Sequence, residues 1–415
     1  MKRIARLSWV GLFGLVALAG CKASSNASPD GGGDGGVCMS SAVRPSARKD
    51  VQAVLATSGS GPQVYVFGGD EAPFDPNAMS QPKQLVDELW RYDLGCKSWE
   101  QLTAPGPGPR AGYAAALDDH QNRILYVGGR AGSGMNPPLV NDVWALDLST
   151  LAFSQLHPTG TAPSPRLGHR VVFDSAANRL LLVGGDTSQI FGNGIVGDVW
   201  QLDFSASPDG AWTQLSATGA TGAPPARRDA SFAIDPMHKI AVMFGGAFTF
   251  STYTNEVWIY DLGANTWKQA QPVGGAPSER FGARMGFSSV SGQMVLFGGH
   301  DAGAIGLRND TFSLTADATG LAVFTQLLPG DAALGVGNVD LSSPERREKD
   351  GFVVAPGIAF TFGGTSDCGP LDDAWTLDLT QPTAWMPTFP AMVGETCARR
   401  AMPGQMCPTD CGSPL

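Results

Sequence analysis

An arginine recurs near the start of six similar segments of the chain, and its guanidinium group could bind an anion. The six candidate ligand-binding residues are Arg48, Arg110, Arg166, Arg227, Arg280 and Arg346. The adjacent Arg228 and Arg347 are the alternatives in the fourth and sixth segments. Guanidinium groups form paired hydrogen bonds to oxyanions, so a ring of them predicts a site for a carboxylate, a sulfate or an anionic sugar. The structural alternative is that each arginine binds loop carbonyls or an acidic residue of its own segment.

Acidic residues recur in the same segments, further along the chain. They are Asp87, Glu88, Asp142, Asp198, Glu256, Asp310, Asp372 and Asp373. None of them forms a distinct pair that could act as general acid and general base. We therefore expect turn residues or partners of the arginines, and we predict no catalytic residue, no cofactor and no metal site.

The cysteines suggest two other kinds of chemistry. Cys21 follows a short apolar stretch and is a candidate for lipidation, treated below with the N-terminus. The remaining six are candidates for disulfides, namely Cys38, Cys96, Cys368, Cys397, Cys407 and Cys411. An even number in an exported protein favours disulfides, and sequence leaves the pairing open. We expect at least one bridge between the N-terminal and C-terminal parts, since all six lie towards the two ends.

The elements that must position these residues are six repeats. An apolar run ending in Gly-Gly occurs six times, with its first glycine at Gly68, Gly128, Gly184, Gly245, Gly298 and Gly363. The tryptophans follow the same order. Trp90, Trp144, Trp200, Trp258 and Trp375 occupy one position of the repeat, and Trp99, Trp212, Trp267 and Trp385 occupy a second. Constant strands joined by variable loops explain this pattern.

This pattern resembles the Kelch repeat, which has a double glycine after its second strand and spaced aromatic residues on the third and fourth. The resemblance covers residues 44–390 and implies an all-β fold, a six-bladed β-propeller with four-stranded antiparallel blades. It also implies that the repeated arginines lie near one mouth of a central channel. The copper site of the related galactose oxidase needs tyrosines and histidines that this sequence does not group. A sialic-acid epimerase-like enzyme with its site at the channel mouth is the alternative to a binding module.

The N-terminus predicts export. Three basic residues precede an apolar stretch from Leu7 to Ala19, which is too short to span a bilayer and is typical of a secretory signal. The residues Leu18-Ala19-Gly20-Cys21 resemble the lipobox of bacterial lipoproteins. That resemblance implies a signal peptide at 1–20, a lipidated Cys21, and a flexible linker over 21–43. It also implies a lipid-anchored protein of the bacterial cell envelope, with Lys22 favouring the outer membrane.

Charge and composition limit the classes of molecule that the protein could bind. The chain has 415 residues and a formal net charge of −10, which argues against nucleic acid, whose phosphates require a basic surface. The variable loops after each Gly-Gly pair would form a recognition face. There Phe248, Phe250 and Tyr253 could stack on a ligand or pack on a neighbouring loop. We therefore expect a module that binds a protein or glycan at this loop face, followed by a cysteine-containing tail over 391–415.

Overall fold

The computed structural model describes residues 43–58, 61–73, 82–189, 192–249, 251–303, 306–331, 343–367 and 369–389. The predicted signal peptide and tail lie outside this part of the chain, as does the linker except for its last residue, Val43. Phe250 and six of the seven cysteines also lie outside it, namely Cys21, Cys38, Cys368, Cys397, Cys407 and Cys411. Cys96, the remaining one, lies in the turn after the third strand. Lipidation and the disulfide pairing therefore stay predictions.

The chain is all-β, and its strands follow one another in six repeat units. The first unit contains β1 (Ala53–Ser58), β2 (Gly61–Phe67), β3 (Leu89–Asp93) and β4 (Ser98–Leu102). The second contains β5 (Arg110–Ala111), β6 (Ala114–Asp118), β7 (Arg123–Ala131), β8 (Leu139–Asp147) and β9 (Ala152–Leu156). The third contains β10 (Thr159–Gly160), β11 (Arg170–Asp174), β12 (Arg179–Asp186), β13 (Ile195–Asp203) and β14 (Ala211–Ser216), with a 3₁₀ turn at Ser175–Ala177.

The last three units follow the same plan. The fourth contains β15 (Ser231–Asp235), β16 (Ile240–Phe244), β17 (Val257–Asp261) and β18 (Thr266–Gly274). The fifth contains β19 (Arg280–Phe281), β20 (Arg284–Ser288), β21 (Gln293–Asp301), β22 (Leu307–Ala316) and β23 (Leu321–Leu328). The sixth contains β24 (Gly351–Ala355), β25 (Ile358–Phe362), β26 (Thr365–Ser366), β27 (Gly369–Pro370), β28 (Ala374–Asp378) and β29 (Trp385–Phe389).

Each unit has four principal strands that pair antiparallel with their neighbours in chain order. In the fourth and fifth units β18 and β23 also pair in parallel, so these two units form one nine-stranded sheet. The sheets have a propeller-like arrangement, which confirms the all-β Kelch-type fold expected from the repeats. Among the described residues, no helix has the length and apolar character needed to cross a membrane.

Backbone hydrogen bonds join each repeat unit to the next. The N–H of the second glycine of each Gly-Gly pair donates to the carbonyl of the repeated arginine in the following unit, as from Gly69 to Arg110 at 2.9 Å. In the sixth unit the same bond runs from Gly364 to Arg48, back to the first unit, also at 2.9 Å. The first principal strands touch in the same cyclic order, since β1 contacts both β6 and β24.

The apolar core lies between neighbouring units. One hydrophobic cluster fills each junction between units consecutive in sequence, and another packs Trp99 and Tyr92 of the first unit against Phe360 and Phe362 of the sixth. The rings of Tyr92 and Phe360 stack with centroids 4.8 Å apart. A four-stranded sheet with two apolar faces cannot bury both alone, so the units stabilise one another by stacking. The two tryptophan positions of the repeat supply much of this buried area.

His169 lies at the junction between the second and third units. Its burial predicts a loss of stability in acid. The residue is buried, and its Nε2–H donates to the carbonyl of Val127 at 3.1 Å. Burial, followed by the nearby charges of Arg166 and Arg170, lowers the pKa of His169 from 6.5 to about 3. Between these values only the unfolded chain binds the proton. Stability is therefore intact above pH 6.5 and falls towards pH 3 by about 1.4 kcal/mol per pH unit from this group.

Replacing His169 by glutamine tests this expectation. The amide can still donate to Val127 but does not titrate, so the variant should show a shallower decline of unfolding free energy between pH 6 and pH 4 in urea titrations. His157→Gln, at an exposed position, is the matched control and should keep the wild-type slope. An unchanged slope in His169→Gln would rule out the buried imidazole as a source of the acid sensitivity.

Candidate functional site at the mouth of the central channel

Each repeated arginine forms an ion pair within its own unit. Arg166 donates to both carboxylate oxygens of Asp198 at 2.6 and 2.9 Å and to the carbonyl of Gly184 at 2.9 Å. The same pairing with an acidic residue recurs in Arg48–Glu88, Arg110–Asp142, Arg227–Glu256, Arg280–Asp310 and Arg347–Asp373. The first residue of each pair is buried. The arginines thus tie the start of each unit to its third principal strand.

The tryptophan of the third principal strand completes this arrangement. The Trp200 indole Nε1–H donates to Asp198 at 2.7 Å, so one carboxylate accepts from an arginine and an indole. Trp90, Trp144, Trp258 and Trp375 bind the acidic residue of their own unit in the same way. In the fifth unit Phe312 takes the place of the tryptophan, and the Arg280–Asp310 pair remains. The repeated arginine, the acidic residue that it binds and the tryptophan of the third principal strand therefore form one structural motif.

These contacts bear on the two roles considered for the arginines. The guanidinium groups of Arg48, Arg110, Arg166, Arg227 and Arg280 already bind carboxylates of the chain, so a ligand would have to displace them. In the sixth unit the equivalent residue is Arg347, and Arg346 instead faces Asp367 at 3.3 Å. In the fourth it is Arg227, while Arg228 binds Asp229 at 2.8 Å. The geometry therefore favours the structural role.

Two of the loop aromatics also pack on the chain itself. The Arg227 guanidinium lies 5.0 Å from the centre of the Phe248 ring. Tyr253 packs on Phe281, with ring centroids 4.7 Å apart, and on His300. These contacts favour packing over ligand stacking for Phe248 and Tyr253.

The residue two positions after the repeated arginine lines a cavity at the channel mouth in five of the six units, and Gly282 of the fifth unit is not among the lining residues. In three units this residue is glycine, at Gly112, Gly168 and Gly282. In the other three it is Asp50, Asp229 and Lys349. All six have positive φ, between 52° and 70°. Left-handed backbone is uncommon for aspartate and more so for lysine, and such conformations concentrate at functional sites.

These charged residues line a cavity of about 140 Å³ at the mouth. Lys83, Arg130, Arg170, Arg228, Arg284 and Lys349 are the cations of the lining, and Asp50, Asp70 and Asp229 are its acidic residues. The lining therefore has three more positive than negative groups, whereas the whole chain has a net charge of −10. A local charge opposite to that of the molecule favours an anionic ligand at this place.

The charges at the mouth act on one another. The carboxylate of Asp50, followed by that of Glu348, raises the pKa of Lys349 and keeps it protonated. Burial acts to raise the pKa of Asp50, but Lys349, Lys83 and other cations outweigh it and lower that pKa. Burial raises the pKa of the neighbouring Glu348. Asp50 and Lys349 thus hold each other in their charged forms at the cavity, whereas burial disfavours the charged form of Glu348.

The sequence does contain a signal for this site. Three repeats read Arg-X-Gly, whereas the other three read Arg48-Lys49-Asp50, Arg227-Arg228-Asp229 and Arg347-Glu348-Lys349. The second three thus place a charged residue where the first three have glycine. The departure lies two residues after the repeated arginine, so the arginine pattern alone did not predict it.

The fold and site together define a β-propeller-like repeat protein with its candidate binding site at the mouth of the central channel. A family model described as the KLHDC2/KLHL20/DRC7 Kelch-repeats domain matches residues 37–235, 208–332 and 237–410. The chain belongs to this family of Kelch-repeat proteins, and Kelch repeats suggest a module for binding other proteins.

Curated proteins are similar over parts of the chain. Tip elongation aberrant protein 1 of Schizosaccharomyces pombe is 29% identical over 211 residues, 49% of this chain and 17% of its own length. Acyl-CoA-binding domain-containing protein 4 of Arabidopsis thaliana is 30% identical over 147 residues, 35% of this chain and 20% of its own. Acyl-CoA-binding domain-containing protein 5 of the same plant is 33% identical over 128 residues, 30% of this chain and 17% of its own. The chain thus spans a fifth or less of these relatives.

Proposed function

We propose that this protein is a binding module that captures an acidic segment of a partner protein at the mouth of its channel. The observation that carries this proposal is the charge of the cavity lining, where six cations face three carboxylates in a chain of net charge −10. The mouth is lined mainly by residues that precede the first principal strands, and the ion-paired arginines lie in the same segments. A rigid scaffold with a charged concave site suits recognition more than chemistry.

We further propose that the six repeat units are the six blades of one closed propeller over residues 44–390. The cyclic series of hydrogen bonds from Gly-Gly pairs to arginine carbonyls supports six blades, because its last member joins Gly364 to Arg48. The cluster formed by Trp99, Tyr92, Phe360 and Phe362 supports closure between the first and sixth units.

The proposed setting is the bacterial cell envelope. Export as a lipoprotein anchored through Cys21, with the outer membrane favoured, rests on the resemblance of Leu18-Ala19-Gly20-Cys21 to a lipobox. An anionic glycan is the second class of partner that the charge of the mouth would suit. The epimerase-like enzyme stays a prediction from sequence.

Charge reversal at the mouth tests the proposed function. Arg130 is partly exposed at the cavity, and its Nη1–H donates to the carbonyl of Pro137 at 3.3 Å. We expect the wild-type protein to retain acidic peptides from an array of peptides of defined charge, with affinity falling as salt rises. Arg130→Glu should weaken that binding about tenfold or more, since a hydrogen bond to a charged group contributes about 1.5–3 kcal/mol.

The matched control is Arg91→Glu. Arg91 lies on β3 outside the cavity lining and pairs with Glu100 on β4, so its reversal alters the net charge equally without touching the mouth. Equal losses of peptide binding in both variants, or no preference for acidic over neutral peptides, would contradict the proposal. A glycan array probed in parallel separates anionic sugars from peptides as ligands.

A further inference from the structure

The far end of the channel, opposite the mouth, is apolar. Each first principal strand runs away from the mouth, and residues of all six of these strands surround a cavity of about 370 Å³. The cavity reaches Phe173 and Ile234, which lie next to the turns where β11 and β15 end. None of the described residues that line it has a charged or polar side chain. The two ends of the channel therefore offer opposite kinds of surface.

A second apolar cavity continues the first one outwards, between the third and fourth units. It has a volume of about 310 Å³, and Phe173, Ile234 and Pro236 line both cavities. It extends from the exposed Ala177, in the 3₁₀ turn of the third unit, to Leu262 in the outer turn of the fourth. We call the two joined cavities the far groove. A concave apolar surface of this size is typical of a binding site.

Two exposed apolar side chains lie in turns at the same end of the sheets. Met237, between β15 and β16, is 64% exposed, and Val290, between β20 and β21, is 61% exposed. These are the two most exposed large hydrophobic side chains in the part of the chain that the structure describes. Met237 lies beside the turn that contains Val290, since a Cβ added to Gly292 would be 3.9 Å from its Sδ atom. Apolar side chains exposed next to an apolar groove indicate an interaction surface.

The turns at this end of the sheets are acidic. Because the principal strands pair antiparallel in chain order, the first-to-second and third-to-fourth turns of each unit lie at the same end, opposite the Gly-Gly pair. With the strand ends that flank them, these turns contain eleven acidic residues, namely Asp93, Asp118, Asp119, Asp147, Asp174, Asp203, Asp209, Asp235, Asp261, Asp317 and Asp378. Their basic residues are Lys97, Arg123, Arg179 and Lys239. The far end is thus negative, whereas the lining of the mouth is positive.

One of these carboxylates recurs in every unit, at the end of the third principal strand or, in the fifth unit, at the residue that follows it. The six are Asp93, Asp147, Asp203, Asp261, Asp317 and Asp378. Each accepts a backbone N–H of the turn that follows, as Asp261 does from Gly263 at 2.9 Å and Ala264 at 2.8 Å. Hydrogen bonds from these turns lower the pKa of Asp147, Asp317 and Asp378. The negative charges are therefore fixed in place and ionised at neutral pH.

We propose that the far groove is a second binding site, for a partner segment that carries apolar side chains flanked by lysines or arginines. The apolar side chains enter the groove, and the basic flanks lie against the acidic turns, where charge complementarity selects them. The same charge repels acidic segments and anionic membrane surfaces. This inference does not rest on the proposed function, because the far groove and the mouth lie at opposite ends of the channel and differ in charge and polarity.

Fluorescence anisotropy of labelled peptides measures binding to the purified protein. The first peptide has a central Leu-Phe pair flanked by lysines, the second has glutamates in place of the lysines, and the third has Ser-Ser in place of Leu-Phe. We expect the first to bind about tenfold or more tightly than either of the others, because only it offers both the apolar and the basic groups. Its affinity should fall as salt rises. Equal affinity of the first peptide and either of the others would overturn the proposal.

Ala177→Arg places a bulky cation in the far groove. Ala177 is exposed, so the fold should tolerate the change, and binding of the lysine-flanked peptide should weaken about tenfold or more. Ala318→Arg is the matched control, since Ala318 is exposed in a turn at the same end and lines neither cavity. Its equal change of charge should weaken binding at most about twofold. Equal losses in the two variants would reject the groove as the site.

Asp261→Asn tests the part played by the acidic turns. The amide oxygen can still accept from the turn, so the loss of charge should weaken the lysine-flanked peptide about two- to fivefold without a loss of stability. A neutral peptide with the same Leu-Phe pair should bind both proteins equally. An unchanged affinity of the lysine-flanked peptide for Asp261→Asn would contradict selection by charge.

Arg130→Glu at the mouth separates this inference from the proposed function. That variant should lose acidic peptides and still bind the lysine-flanked peptide at least as tightly as the wild type does. Loss of the lysine-flanked peptide in Arg130→Glu would place it at the mouth and refute the inference. The inference would also fail if no peptide bound and Ala177→Arg instead abolished self-association in sedimentation, or binding to phosphatidylcholine vesicles. Those two results would assign the groove to a second copy or to lipid.

Discussion

Replacing Asp373 by alanine is expected to lower the free energy of unfolding by about 3–5 kcal/mol, because it leaves a buried arginine without its counter-charge. Arg347 and Asp373 are both fully buried, and the two Nη atoms of Arg347 lie 2.6 and 2.5 Å from the carboxylate oxygens of Asp373. The same carboxylate accepts from the Trp375 indole at 2.6 Å. Urea titration followed by tryptophan fluorescence measures the loss.

Asp142 offers a matched control within the same motif. It binds Arg110 and Trp144 as Asp373 binds Arg347 and Trp375, but its side chain is 22% exposed. Water can therefore reach the cavity that Asp142→Ala leaves, and we expect a loss of about 1–2 kcal/mol. Asp373→Asn, which keeps the shape and removes the charge, should fall between the two alanine variants. Equal losses for Asp373→Ala and Asp142→Ala would mean that burial of the pair does not set its contribution.

These motifs explain why the fold could be predicted from sequence. The Gly-Gly pairs and tryptophans recur because every unit solves the same packing problem with the same residues. One carboxylate that binds both Trp200 and Arg166 fixes two repeat positions at once. A feature present in all units is visible in a single sequence without any knowledge of contacts.

The mouth could not be predicted in the same way. Asp50 and Lys349 are 299 positions apart in the sequence, yet their charged atoms lie 4.0 Å apart because the sixth unit returns to the first. Arg284 reaches the carbonyl of Val51 across the same closure. Such contacts depend on how the first principal strands of the units are placed around the channel. The sequence of each unit shows which residue departs from the repeat. It does not show which residue of another unit lies beside it in the folded protein.

The second glycine of the Gly-Gly pair is the other place where a single change should be severe. Gly129 has φ of +90°, and an added Cβ would lie 2.6 Å from the backbone nitrogen of Tyr113 and 2.7 Å from the carbonyl oxygen of Ala111. Both obstacles are backbone atoms of the same unit, so they cannot move aside as a side chain could. Gly129→Ala should therefore cost about 1–3 kcal/mol from its backbone conformation and about 1–3 kcal/mol more from the overlap.

Gly132 separates these two contributions. It lies three residues further on, has φ of +100°, and has no atom within 4 Å of the position where a Cβ would be added. Gly132→Ala should thus show the backbone cost alone, and the difference between the two variants in urea titrations measures the overlap. Displacement of Gly129 would also disturb its N–H bond to the Arg166 carbonyl, 2.9 Å long, which joins the second unit to the third. If the two variants lost the same stability, the Gly-Gly pair would serve only the backbone conformation of each strand, and close approach would not be its role in the repeat.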